Sequence, residues 1–184
     1  MTNIAAISGS LRVGSTNSAL VRAMAAAAPA EVAVTIYEGL ADLPHFSAEL
    51  DGNDPPAPVK VLRGLLGAAD GAIFCTPEYA FGMPGSLKNA LNWLVTSGEL
   101  WRKPVVAISA SPSARGGENA HAALLLTLTA LEAEIVEAGS LKIPFVTTKV
   151  TKGGEISDIG TMQSLQTFLN ALIEAINRQK QEAP

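Results

Sequence analysis

Residues Gly9-Ser10-Leu11-Arg12-Val13-Gly14-Ser15-Thr16 come close to G-x-x-x-x-G-K-[ST], the loop that wraps nucleoside triphosphates, but Ser15 stands where that loop has its lysine. Without the lysine, β- and γ-phosphates lose their point charge. A G-x-G-x-x-G turn is also missing, so a dinucleotide pyrophosphate has no close backbone approach. The segment from Ser8 to Ser18 offers other groups: the hydroxyls of Ser8, Ser10, Ser15, Thr16 and Ser18, the Asn17 amide and the Arg12 guanidinium. At the start of a helix, neutral donors beside one cation suit a terminal monophosphate. Ser, Thr and Asn are also ordinary helix caps, so a purely structural turn stands beside that reading.

Two further stretches carry candidate chemistry. Thr76-Pro77-Glu78-Tyr79-Ala80-Phe81-Gly82-Met83-Pro84-Gly85 sets two aromatic rings on a constrained backbone, a wall against which a flat ligand can lie. Glu78 suits a ligand N–H or, with somewhat more weight, a structural role. Ser109-Ala110-Ser111-Pro112-Ser113-Ala114-Arg115-Gly116-Gly117 ends in two glycines that permit close backbone approach. Cys75, alone in an apolar run, reads as a small buried hydrophobe rather than a redox thiol. His45 and His121 lack partners at metal spacing, so no metal site is expected. Ser15 has no G-x-S-x-G elbow around it, which leaves a hydrolase triad unsupported.

These stretches must be positioned by the elements between them. Apolar β-like runs at Asn3–Ser8, Val32–Tyr37, Gly71–Thr76, Pro104–Ser109 and Glu134–Glu137 alternate with helical segments at Asn17–Ala28, Val59–Ala69, Ser86–Thr96, Glu118–Leu131 and Ser157–Arg178. Such alternation predicts a parallel sheet covered on both faces, with ligands at the carboxyl ends of its strands. The loops Ser8–Asn17, Thr76–Gly85 and Ser109–Gly117 fall there. Ser47–Pro58 reads as a surface loop. Leu87, Leu91 and Trp93 have the spacing of a core or subunit contact. The helix Asn119–Leu131 is apolar nearly all round, which predicts deep burial or a homodimer or dimer-of-dimers contact. Trp93, Trp101 and Phe81 are candidates to complete the site from across that contact. With 184 residues, 48% hydrophobic and 16% charged, the chain suits one domain spanning residues 1–184. A net charge of −4 with no basic run argues against nucleic acid and anionic membranes as partners. One cysteine and the lack of a leader-like or membrane-spanning stretch fit a cytoplasmic protein.

GSLRVGSTNS, TPEYAFGMPGSLKNALNW and the SAS…GG loop, in that order, resemble the NADPH-dependent FMN reductase family of quinone, azo-dye and chromate reductases. The resemblance covers most of the chain, from Ile4 to the last helix. It implies a flavodoxin-like, doubly wound, five-stranded parallel sheet, bound FMN, and NADPH or NADH as electron donor to a small-molecule acceptor such as a quinone, azo compound, metal oxyanion or free flavin. Carried over residue by residue, Ser10, Arg12, Ser15, Asn17 and Ser18 match phosphate ligands, with Thr16 adding its backbone. Pro77, Glu78 and Tyr79 match the flavin-edge motif, and Ser111 and Gly116 fall where the family's third loop reaches the ring. Two departures stand out. Ala80 replaces the usual asparagine, leaving only backbone donors, and the third loop is longer than the common glycine-rich form. Arg12, Arg102 and Arg115 are candidates for an NADPH 2′-phosphate. Because the cofactor carries the hydride chemistry, no catalytic acid, base or nucleophile is expected. The alternatives are a flavodoxin-type electron carrier reduced by a separate partner and a nucleotide-using transferase. The mild charge tells against the first, and the lack of a carboxylate pair for a metal against the second.

Overall fold

Runs such as Ala72-Ile73-Phe74-Cys75 have no polar alternation, so both faces of the strand must be covered. In a computed structural model describing residues 1–182, they are covered by a three-layer α/β/α arrangement. The chain runs β1 (Thr2–Ser8), α1 (Thr16–Ala26), β2 (Val32–Tyr37), α2 (Ala57–Ala68), β3 (Gly71–Thr76), α3 (Gly85–Asn92), β4 (Pro104–Ala110), α4 (Glu118–Ala130), β5 (Glu134–Ile143) and α5 (Ile159–Glu182). The strands pair in parallel in the order β2-β1-β3-β4-β5. This is the flavodoxin-like winding, whose switch point lies between β1 and β3.

Strand periodicity divides the core in two. Ala5, Ile7, Phe74 and Ala107 face Leu62 and Leu66 of α2, Leu87 and Leu91 of α3, and Leu124 and Leu128 of α4. Ile4, Ala6, Ile73, Val106 and Ile108 face Leu20 and Met24 of α1 and Leu165, Leu169 and Leu172 of α5. Each fully buried aliphatic side chain contributes roughly 1.5–3 kcal/mol. Trp93 belongs to the first of these cores. It is fully buried, donates Nε1–H to the Pro44 carbonyl at 2.9 Å and meets Phe46 edge-to-face at 5.1 Å. A side chain enclosed in this way cannot reach a neighbouring subunit's site, which corrects that expectation.

Two boundaries differ from the sequence pattern. The helix expected over Ser86–Thr96 ends at Asn92, and β5 runs on to Ile143 instead of stopping at Glu137. Ile135 lies opposite Val105 and Ser140 opposite Ala107, so residues 136–139 bulge across from a single position on β4. The amino ends of the strands are tied down. Lys103 Nζ donates to the Leu66 and Ala69 carbonyls at the end of α2. Asp70 accepts from the Asn3 N–H at 2.7 Å and pairs with Lys180 at 2.9 Å. Trp101 and Arg102 sit at this end, the guanidinium 5.7 Å from the ring centroid, and Gln179 donates to the Arg102 carbonyl at 2.6 Å. Within one chain, neither residue is near the carboxyl-end loops.

α4 turns Leu124 and Leu128 inward and leaves Leu126 74% exposed, so its apolar surface is covered on one side only. His121, also on α4, is buried; Nε2 bonds the Ser140 hydroxyl, and Nδ1 has no partner among the described residues. Burial, aided by Lys142, lowers its pKa to about 4. The unfolded chain therefore binds a proton near pH 6.5 that the folded chain refuses, and stability falls as pH drops from there towards 4. Urea denaturation is expected to show a loss of about 2 kcal/mol between pH 7 and pH 5. His121→Gln should remove most of that slope, and an unchanged slope would place its origin elsewhere.

Candidate functional site

β1 delivers the chain into the first loop through Gly9, whose N–H donates to the Cys75 carbonyl at 2.8 Å. A Cβ at Gly9 would lie 2.9 Å from Leu87 Cδ2, so only glycine lets the loop pass this close to α3. Ser15 then caps α1, its hydroxyl accepting from the Ser18 N–H at 3.5 Å. The N–H groups of Thr16 and Asn17 have no protein acceptor among the described residues, and at a helix start they carry positive potential. The Asn17 side chain is itself committed: Nδ2 donates to the Ala110 carbonyl at 3.3 Å, and Oδ1 accepts from Cys75 Sγ at 3.2 Å. Ser18 Oγ bonds Ser8 Oγ at 2.9 Å, behind the loop. Cys75 is fully enclosed and burial pushes its thiol pKa up, so it packs and does not react.

The second loop is a tight reversal. The Tyr79 N–H donates to the Gly82 carbonyl at 2.9 Å, and the Gly82 N–H returns to Tyr79 at 3.0 Å. Between them Ala80 and Phe81 both take left-handed angles, φ 48° and 60°. That is a type I′ turn, for which Asn-Gly is the ordinary choice. The family's asparagine at this position therefore has a backbone reason besides any contact, because asparagine tolerates the left-handed region better than alanine. Just before the turn, Glu78 Oε2 accepts from the Asn119 and Ala120 N–H groups at 2.8 and 3.0 Å. Gly117, the N-cap of α4, has no side chain to do this, so the second loop caps α4 from a distance.

The third loop is fastened to the end of β5. Ser111 N–H donates to Ile143 at 3.2 Å, and its carbonyl accepts from Val146 N–H at 3.1 Å. Gly116 has φ 62°, and a Cβ there would come within 3.0 Å of Ile143 C and Pro144 N. Arg115 pairs with Glu118 at 3.1 Å on the surface.

Between the loops lies a cleft of about 260 Å³, whose walls bring together Ser10, Arg12, Ser15, Thr16, Asn17, Pro77, Glu78 and Tyr79. Arg12 and Tyr79 also border a neighbouring cleft of about 550 Å³ with Leu11 and Met83. Ser18, Ala80, Ser111 and Gly116 lie behind or beside these walls and hold the loops. Thr147 joins the first cleft unannounced by the sequence, because the early stop assigned to β5 hid the carboxyl-end loop that carries it. Glu78 is the one carboxylate on this wall, and its Oε2 is taken by α4. Hydroxyls, a guanidinium and two helix-start N–H groups remain beside an aromatic wall, a donor set that fits a phosphate monoester attached to a flat ring. FMN has that form.

This winding, with a hydroxyl-rich loop at its switch point, defines a flavodoxin-like scaffold of the flavoenzyme type. Residues 2–148 match the NADPH-dependent FMN reductase family, and the chain belongs to it. Relatives include a quinone reductase of Escherichia coli K12, 34% identical over 176 residues covering 94% of each chain, and a 2-hydroxy-1,4-benzoquinone reductase of a Burkholderia species, 31% identical over 170 residues covering 91% and 92%. The solved FerB of Paracoccus denitrificans, a flavoenzyme NAD(P)H:(acceptor) oxidoreductase, superposes with a TM-score of 0.86 at 26% identity, covering 97% of this chain and 98% of its own. The chain is thus an FMN-dependent NAD(P)H oxidoreductase.

The geometry of Glu78 makes a stability prediction. Glu78→Ala should cost about 1–2 kcal/mol of cap energy and lower the Tm of the FMN-free protein by about 2–8 °C. An unchanged Tm would show that the capping bonds contribute nothing to stability.

Proposed function

We propose that this chain, as one FMN-binding domain over residues 1–184, reduces quinones with electrons from NAD(P)H. The observation that carries the site assignment is the convergence, in one cleft, of the unpartnered Thr16 and Asn17 N–H groups, the Ser10 and Thr16 hydroxyls and Arg12 with the Tyr79 wall. Quinones as the acceptor class follow from the relatives' names.

In this reading the first loop holds the phosphate. Ser10, Arg12, Ser15 and Thr16 donate to it, and Asn17 serves through its backbone N–H, since its side chain is already bonded within the protein; Ser18, with its N–H on Ser15 and its hydroxyl on Ser8, braces the loop from behind. The flavin ring lies against Pro77, Glu78, Tyr79 and the backbone of Ala80. Ser111 and Gly116 set the opposite side by fixing the third loop to β5. Bound FMN supplies the hydride chemistry, and the protein's residues orient it and shape access to it. Of the three arginines that are candidates for an NADPH 2′-phosphate, Arg12 alone lines these clefts; Arg102 lies at the other end of the sheet, and Arg115 is paired with Glu118.

The uncovered outer face of α4, with Ala122 and Leu126, supports assembly as a homodimer or homotetramer. A cytoplasmic setting is supported by the single, buried cysteine. Among the described residues no helix is long and apolar enough to cross a membrane.

The test is an anaerobic NADPH titration of the FMN-reconstituted protein, followed by flavin absorbance. Bleaching complete at one NADPH per flavin is expected. Tight FMN binding without bleaching would replace the reductase reading with that of an electron carrier.

A further inference from the structure

The turn from Tyr79 to Gly82 holds two consecutive non-glycine residues in the left-handed region, Ala80 at φ 48° and Phe81 at φ 60°. For a residue with a bulky side chain such an angle is strained, and Asn-Gly would make the same turn without strain. The fold gains nothing visible in return. The Phe81 side chain is 79% exposed and packs in neither core cluster. Its turn, however, stands at the site: Tyr79, half exposed, and Met83 flank it and line the cleft that adjoins the proposed flavin site. Strain maintained at an exposed position beside a cleft is the signature of a residue kept for what arrives there.

We propose that Phe81 is the acceptor-selecting residue of this enzyme, its ring providing a stacking surface for a planar, uncharged aromatic acceptor of the quinone class at the mouth of the cleft. The inference rests on the function proposed above and adds the residue that discriminates among acceptors. Phe81 forms no bond and moves no proton. NAD(P)H is oxidised to NAD(P)+, and the quinone, taking two electrons together with the hydride's proton and one from solvent, leaves as hydroquinone. Aromatic stacking favours flat rings and has nothing to offer a compact, highly charged acceptor. The outcome is a preference for quinones that the flavin alone would not impose.

The experiment compares wild type, Phe81→Asn and Phe81→Tyr, each loaded with FMN. It measures the KM for 1,4-naphthoquinone and for ferricyanide, the anaerobic rate of bleaching by NADPH, the Tm and the solution mass. Phe81→Asn removes the ring and eases the backbone. It should raise the naphthoquinone KM roughly two- to tenfold. The ferricyanide KM and the bleaching rate should stay as in wild type, and Tm should be equal or higher. Phe81→Tyr should restore the wild-type naphthoquinone KM. An unchanged naphthoquinone KM in Phe81→Asn overturns the assignment, as does an equal rise for both acceptors. A fall in solution mass would make the ring a subunit contact instead and overturn it as well. Failure of wild type itself to bleach is a separate result, and it would remove the reductase reading together with this one.

Discussion

One buried amide holds the working end of this molecule together. Asn17 sits in the first turn of α1, where the sheet changes winding direction, and its two polar atoms are spent on the ends of two strands: Ala110 on β4 and Cys75 on β3. Either bond, broken in a buried setting, leaves a polar group unsatisfied at about 1–3 kcal/mol. The bonds therefore fix the direction of α1, and with it the direction of the open N–H groups at its start. The other loops are sewn down in the same manner, the second through Glu78 to α4 and the third through Ser111 to the end of β5. A cleft assembled from such loops is rigid before any ligand arrives, which is what a protein needs when its task is to orient a cofactor.

The division of labour follows from that rigidity. The one carboxylate that lines the cleft, Glu78, is engaged by α4, and the one cysteine is shut away from solvent. Selectivity must then come from shape, from the few charges at the rim and from the aromatic groups of the second loop. Arg12, shared by both clefts, is the cation of that rim, and Tyr79 is the wall common to both.

Much of this was legible in the sequence. β2 and β3 run from Val32 to Tyr37 and from Gly71 to Thr76 as their apolar, β-branched patterns mark them, and the three carboxyl-end loops fall where alternation places them. Of the first-loop candidates, Ser10, Arg12, Ser15, Thr16 and Asn17 reach one cleft because they are neighbours in the chain, and Ser18 falls behind it. What escaped depends on partners far apart in sequence or on local irregularity. The capping role of Glu78 needs Asn119 and Ala120, which no spacing rule connects to it. Trp93 has the same helical spacing whether it faces its own core or a partner, and only the fold shows that it faces the former. β5 was cut short because four residues bulge opposite one, which destroys the period-two signal, and Thr147 was lost with it. At Ala80 the departure from the family pattern read as a missing side-chain contact, whereas its left-handed φ gives the position a conformational meaning that residue type alone does not disclose.

The bulge in β5 also bears on how many copies of this molecule can share one solution. β5 is an edge strand, and an unbroken edge offers its unpaired N–H and C=O groups to any other strand that comes alongside. Residues 136–139 break that template near its middle, so an incoming strand in register with Glu134 and Ile135 is out of register by Ser140. The irregularity that hides the strand from sequence reading thus also blunts this edge of the sheet as a template for a strand from another molecule.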